Sequence, residues 1–366
     1  MRKILEISCS GLENGGVQHV IMNIVSNLKN DFQFDIIVFS EGPDFFDKQF
    51  LKWGGKIFRI PNKRRVFGLD IDAYFRGPRI FFNTYKILKR NGPYDVIHCH
   101  NYFESFFCLL AARMVGVKTR IVHSHNDATF IKFSIIQKIY QKILRKLILR
   151  NATNFIGCSK KACDYLFGCN CNAITVYNGI DLEEFKKNNS KDYIPNNKIH
   201  LLHVGNFSKQ KNQMFLVDVI KELKNKKIDF ELILIGGGNN EYRENVIRKI
   251  KENNLNNNVK LLPSNSDISE AMNNADLFLF PSNYEGLGIV LVEAQATGLH
   301  CLVSKTIPPE ACLGNLEFIE ELNARRWSEA ICNIVKNGQK RISVDMNRYD
   351  IKEIAQTYKR LYTKNG

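Results

Sequence analysis

Two successive series of short apolar runs, most of them separated by helix-like segments, constrain this chain more than any other feature. The first series is KILEISCS, a helix from about Val17 to Leu28, FDIIVFS, YDVIHCHN, RIVHSHN, NFIGCS and AITVYNGID. The second begins near Ile199 with HLLHVGN, a helix from about Met214 to Lys224, FELILIGGG, a helix from Tyr242 to Asn253, VKLLP, DLFLFPS and CLVSK. Apolar runs bounded by turn signals and alternating with helices read as buried parallel strands, the order of a doubly wound α/β sheet. Its occurrence twice predicts two Rossmann-like domains. At 366 residues and 44% apolar content the chain is too long for one ordinary core and too apolar to be disordered. The boundary is expected in the polar stretch KKNNSKDYIPNNK, Lys186 to Lys198, giving domains of 1–185 and 186–344. No internal repeat is evident.

Charge is unevenly shared. Of the net +15, residues 1–185 carry 26 Lys+Arg against 16 Asp+Glu. The densest basic feature is KFSIIQKIYQKILRKLILRN, in which Phe133, Ile136, Tyr140, Ile143 and Leu147 recur at helical spacing. Lys138, Lys142, Arg145 and Lys146 gather on another face, the pattern of an amphipathic basic helix. Such a helix either packs on a core with its charged side solvated or attaches to an anionic membrane surface. Lys63, Arg64 and Arg65 add a basic loop. The charge would also attract nucleic acid, but no nucleic-acid-binding motif is present, and no nucleic-acid partner is expected. The N-terminus runs directly into a strand-like pattern, and no stretch of about 18 apolar residues occurs, so a cytosolic protein is expected. The ten cysteines lack paired zinc spacing, and Cys163, Cys169 and Cys171 are expected as reduced thiols.

The segment FPSNYEGLGIVLVEAQATG carries the most chemistry. An apolar run, Leu277 to Phe280, breaks at Pro281 into a glycine-bearing turn and then an apolar, helix-like stretch. Backbone N–H groups of Gly286, Leu287, Gly288 and Ile289 then stand near a helix N-terminus, where unpaired donors and the helix dipole favour anions. Glu285, in the turn, is placed to grip sugar hydroxyls, and Glu293, about two helical turns on, to accept from a ribose. In HVGNFSKQKNQMF a strand ends at Gly205 and a helix opens after Asn212. Lys211 thus sits at a strand's carboxyl edge, the usual ligand crevice of open α/β sheets, where an ammonium neutralises a departing diphosphate. Gly15-Gly16 follows the first strand, where the missing Cβ lets backbone approach phosphates. Gly236-Gly237-Gly238 ends another strand and reads equally as a plain turn.

His98, His100, His123 and His125 end two strands, IHCHN and VHSHN, and each pair shares a sheet face. Four histidines invite a zinc reading, but no carboxylate or thiol has comparable spacing, and no metal is expected.

In order along the chain, SGLENGGVQHV, VYNGIDLEEF, HVGNFSKQKN and FPSNYEGLGIVLVEAQATG resemble the motifs of glycosyltransferase family 4, the retaining nucleotide-sugar transferases of the GT-B fold. The likeness covers most of the chain and extends to transferases of bacterial exopolysaccharide, capsule and O-antigen clusters. It implies two facing Rossmann-like domains with a cleft between them, the last helix, from about residue 345, packing back on the first. It implies a UDP-sugar donor held by Gly15, Gly16, Asn206, Lys209, Lys211, Gly286, Leu287, Gly288, Ile289 and Glu293, with His125, Lys211 and Glu285 as catalytic residues. By the same likeness His125, with His123 as fallback, approaches the sugar's reacting end, no metal or cofactor is needed, and the acceptor is a lipid-linked saccharide at the inner membrane face. One departure stands out. Where the family pattern has an arginine, this chain has Asn206, which removes a fixed charge that Lys209 only partly replaces. Two other readings follow from the same residues: a catalytically silent relative that binds donor or membrane, and a UDP-sugar 2-epimerase, which uses histidines and carboxylates on the same fold.

Overall fold

A computed structural model describes residues 1–8, 10–61, 72–125, 133–186, 198–338 and 341–364. The chain divides into two compact units, Met1–Ile180 with Arg348–Gly366, and Asp181–Asn347. The split after Ile180 lies slightly ahead of the polar stretch where the composition changes. The expected basic loop, Lys63 to Arg65, lies outside the described residues.

The first unit runs β1 (Arg2–Ile7), α1 (Gly16–Leu28), β2 (Phe32–Val38), α2 (Asp47–Lys52), β3 (Ile57–Arg59), α3 (Asp72–Asn91), β4 (Val96–Cys99), α4 (Ser105–Met114), β5 (Thr119–Ser124), α5 (Ile135–Asn151), β6 (Asn154–Gly157), α6 (Lys160–Phe167) and β7 (Ile174–Thr175). All seven strands are parallel, in the order β3-β2-β1-β4-β5-β6-β7. Alternation sorts the side chains. Ile4, Ile36, Val96, Ile121 and Ile156 face the layer that contains α1, whereas Leu5, Ile7, Ile37, Ile97 and Val122 face the layer of α4, α5 and α6. Both faces are therefore covered, which parallel strands require.

The second unit runs β8 (Ile199–Val204), α7 (Gln213–Asn225), β9 (Phe230–Ile235), α8 (Asn240–Glu252), β10 (Val259–Leu262), α9 (Ile268–Asn274), β11 (Leu277–Phe280), α10 (Ile289–Ala296), β12 (Cys301–Ser304), β13 (Leu316–Ile319) and α11 (Ala324–Lys336). Its six strands are again parallel, in the order β10-β9-β8-β11-β12-β13. Each sheet reverses its winding once, between β1 and β4 in the first and between β8 and β11 in the second. At such a switch point the two following loops diverge and leave a ligand crevice outside the strand ends.

The chain then returns to the first unit with α12 (Ile351–Thr363). Its Tyr358 and Tyr362 are fully buried in the α1 layer, and Arg2 Nη1 donates to the Tyr362 carbonyl at 2.7 Å. The NGID segment joins the departing and returning chains. Ile180 N–H donates to the Tyr349 carbonyl, Ile351 N–H donates to the Ile180 carbonyl, and a Cβ on Gly179 would stand 2.8 Å from Ile351.

The sequence left α5 either packed on a core or lying on a membrane surface, and its exposure bears on that choice. On α5 the stripe read from spacing is uncovered at Ile136, Tyr140 and Ile143, whereas Leu147 packs against the core. Leu144 and Ile148 are buried, whereas Ile136 is 79% exposed, and Ile135, Ile139, Tyr140 and Ile143 are exposed too. Four of the first six residues of the helix are apolar, and in the later turns Leu144, Leu147 and Ile148 join the core cluster that holds residues of α4 and α6. A Ser134–Gln137 capping box fixes where it starts.

Candidate active site

In the second unit, the β8–α7 loop and the β11–α10 turn flank the switch point, and hydrogen bonds stitch them together. Asn283 N–H donates to the Gln210 carbonyl at 2.8 Å, Asn283 Nδ2 to the Lys209 carbonyl at 2.6 Å, and Gln210 Nε2 to the Tyr284 carbonyl at 3.1 Å. That stitching brings together two residues 74 positions apart: Lys211 Nζ lies 2.7 Å from Glu285 Oε1 and 4.8 Å from the Phe280 ring centroid. Spacing had given the two separate tasks and did not foresee their contact. Glu285 is buried and Lys211 half-buried, so the pair is more than a surface ion pair, and removing either partner strands the other.

Next to the pair, α10 opens on Gly288 at φ +77°, a left-handed conformation that glycine adopts freely. Among the described residues no backbone carbonyl takes the N–H groups of Gly286, Leu287, Gly288 or Ile289. Glu293, half-buried on α10, has its carboxyl pushed up to about 7 by burial and by the nearby Glu184 carboxylate, with Lys211 opposing the rise. Asn206 and Lys209 are exposed on the loop before Lys211, and Asn206 offers its backbone carbonyl to Ser208 Oγ and Gln213 Nε2. Of the glycine triplet, Gly236 serves packing: a Cβ there would stand 2.2 Å from the Gly205 carbonyl oxygen.

In the first unit, Gly15 caps α1 without a side-chain bond, and a Cβ on Gly16 would meet nothing within 4 Å. Gly16 thus borders open space, and its own fold does not demand glycine there. The strand ends carry a dry polar layer. His98, His100, His123 and His125 are all buried, with His123 and His125 ring centroids 3.9 Å apart and His98 and His123 stacked at 5.5 Å. Glu6, unremarked in KILEIS, is their partner. Its Oε2 accepts from His100 Nε2 at 2.9 Å, its Oε1 accepts from the Tyr362 hydroxyl at 3.0 Å, and His98 Nδ1 bonds the same hydroxyl at 2.8 Å. Burial raises the Glu6 carboxyl and the flanking histidines lower it further, to about 2; burial and His98 hold His100 down to about 4. His123 and His125 are held well below the ordinary imidazole range, chiefly by burial. His98 Nε2, both His123 nitrogens and His125 Nδ1 have no partner among the described residues, at about 1–3 kcal/mol each. Ring nitrogens of His98, His100 and His123 come within 4.8 Å of one another, whereas a tetrahedral zinc would hold them about 3.3 Å apart. The layer fits an ion poorly, since His100 already spends both nitrogens on Glu6 and His125.

The signal for Glu6 was readable: a carboxylate inside an apolar strand is not buried without partners. Nothing local announced Tyr358 and Tyr362, which arrive from the far end of the chain.

Comparison with known proteins agrees over most of the chain. Residues 14–184 match the model of Glycosyltransferase Family 4, and residues 184–351 match that of Glycosyl transferases group 1. A protein designated a glycosyltransferase, EpsF of Bacillus subtilis (strain 168), is 32% identical over 92% of this chain and 89% of its own. The UDP-Gal:alpha-D-GlcNAc-diphosphoundecaprenol alpha-1,3-galactosyltransferase of Escherichia coli is 27% identical over 83% of this chain and 79% of its own. The structure of Anabaena Alr3699/HepE in complex with UDP and glucose superposes with a TM-score of 0.79 at 19% identity, covering 98% of this chain and 99% of the other. The fold is GT-B, and the chain belongs to glycosyltransferase family 4.

Proposed function

We propose that this glycosyltransferase moves a hexose from a UDP-sugar, with retention and without a metal ion, onto a lipid-linked saccharide that grows into a bacterial surface polysaccharide. The observation that carries this reading is the Lys211–Glu285 pair beside the open N-terminus of α10. The N–H groups and Lys211 hold the diphosphate, Glu285 takes hydroxyls of the sugar, and Glu293 accepts from the ribose. Gly15 and Gly16 let backbone near the phosphates, and His125, by the family likeness, contacts the sugar. The bond from the anomeric carbon to the diphosphate breaks as the acceptor oxygen bonds to the same face. The acceptor's proton passes to the departing phosphate oxygen. Lys211 and the N–H groups stabilise the charge that develops there, the part a metal would otherwise take. The UDP complex of the Anabaena structure and the donor and acceptor named for the Escherichia coli relative support the substrate classes.

The same reading puts the protein at the inner membrane face. The exposed Ile135, Ile136, Ile139, Tyr140 and Ile143 of α5 offer apolar surface, and Lys138 and Lys142 on the same turns meet anionic headgroups at about 1 kcal/mol each. No helix among the described residues is long and apolar enough to cross a membrane.

Calorimetry against UDP, GDP, ADP and CDP, with EDTA and then with Mg²⁺, tests the donor site. UDP binding that persists in EDTA and weakens in Glu293→Ala is expected. NMR of the product reports the anomeric configuration, and an inverted linkage would sink the retaining mechanism. Tight UDP binding without turnover on any lipid-linked saccharide would favour the silent relative that Asn206 suggests.

A further inference from the structure

Four contacts at the strand ends of the first unit form a chain whose donors converge on Glu6 from two sides. The Tyr362 hydroxyl donates to Glu6 Oε1, so the lone pairs of that hydroxyl are free to accept from His98 Nδ1–H at 2.8 Å. Glu6 Oε2 can only accept, so the proton of His100 sits on Nε2, 2.9 Å away. In a neutral imidazole the other nitrogen is then bare, and His100 Nδ1 lies 2.7 Å from His125 Nε2. His125 must donate there, which leaves its Nδ1 bare. That atom has no partner among the described residues although the side chain is buried. The depressed titration of His100, to about 4, agrees with a neutral ring at neutral pH.

We propose that Glu6 and His100 are positioning residues that hold His125 as its Nε2–H tautomer, which leaves Nδ1 as its one bare nitrogen. The inference rests on the assignment of His125 to the sugar for its consequence and on geometry alone for the tautomer. A carboxylate that orients an imidazole through a second group is a recurrent way to set which nitrogen reacts. Here the relay is imidazole to imidazole. It also explains why an ionised carboxylate lies inside a dry sheet layer: Glu6 sets the direction of four donors, Tyr362 and His100 directly and His98 and His125 through them.

Selective ¹⁵N-histidine labelling with long-range ¹H–¹⁵N correlation reads the tautomers directly, the His125 signals being identified as those lost in His125→Gln. The expected parent spectrum has His125 protonated on Nε2 alone. In His100→Phe that fixed tautomer gives way to exchange between two. UDP release from UDP-glucose and from UDP-galactose then falls ten- to a hundredfold, while UDP affinity changes less than threefold. A purely structural role would lower the melting temperature and leave the tautomer as it was. Glu6→Leu should behave as His100→Phe does; if it does not fold, the His100 variant and the parent spectrum still decide. His125 protonated on Nδ1 in the parent, or a His100→Phe protein that keeps both tautomer and turnover, overturns the proposal. Undiminished turnover in His125→Ala overturns instead the assignment of His125 to the sugar, and the tautomer result stands apart from it.

Discussion

The two sheets share parallel winding and one switch point each, yet they furnish it in opposite ways. At β1 and β4 the first unit packs a carboxylate, four imidazoles and two phenols into a layer shielded from water. At β8 and β11 the second unit leaves backbone donors open and sets one ion pair beside them. In the dry layer a hydrogen bond's worth lies in direction, because each donor there has few acceptors to choose from. In the open site it lies in charge, because a diphosphate is recognised by positive potential. One topology therefore supports two kinds of recognition, according to which residues follow the strand ends.

Substitutions can break this contrast, beginning with the one expected to act most strongly. Lys211→Ala should lower turnover by about 10²–10³, the usual loss when one donor to a developing anion is removed, and should change donor affinity far less. Steady-state kinetics decides, and parent-like kinetics would remove Lys211 from the leaving-group site. On α5, Ile136→Asp with Ile139→Asp should abolish co-sedimentation with vesicles containing phosphatidylglycerol while UDP affinity stays unchanged; persistent vesicle binding would leave that face without a membrane role.

Glu293→Ala should weaken UDP binding about tenfold by calorimetry, since a ribose loses its charged acceptor. The Glu293 carboxyl, raised to about 7, also gives a signed pH dependence. A ribose donates best to the ionised form, so UDP affinity should fall as pH drops below 7, by at most about tenfold per unit. For folding the sign is opposite. The folded state favours the protonated acid, so this group stabilises most below its unfolded value near 4.5, and the contribution is lost as pH rises through about 7. Glu293→Gln should flatten the binding profile and raise the melting temperature at pH 8; a profile as steep as the parent's would point to another group. The smallest effect is expected from Asn206→Arg, a few-fold gain in turnover if the missing charge matters, read by the same kinetics.

Much of this was legible because it is local. Strand β11 ends at Phe280 and β8 at Val204, as the apolar runs and their Pro and Gly punctuation indicate, and α7 and α8 begin within two residues of their expected starts. What escaped was long-range. Lys211 meets Glu285 because β8 and β11 are neighbours in the sheet though far apart in sequence, and no window of residues contains both. Glu6 was readable as a buried carboxylate between Leu5 and Ile7, but its partners His98, His100 and Tyr362 lie up to 356 positions away. The α5 stripe stayed open for another reason: period alone says that apolar residues share a face, not whether a partner covers it, and the row at Ile136, Tyr140 and Ile143 is bare while the one at Leu144 and Ile148 is covered.

The return of α12 to the first unit bears on synthesis. A ribosome releases β1 to β7 early, yet Glu6 receives its Tyr362 donor, and the α1 layer its two tyrosines, only when α12 emerges. The unit begun first is thus completed only after the second unit has left the exit tunnel. A chain truncated by some fifteen residues would still carry every motif of the donor site, but it would leave the carboxylate at the centre of the histidine layer without its hydroxyl.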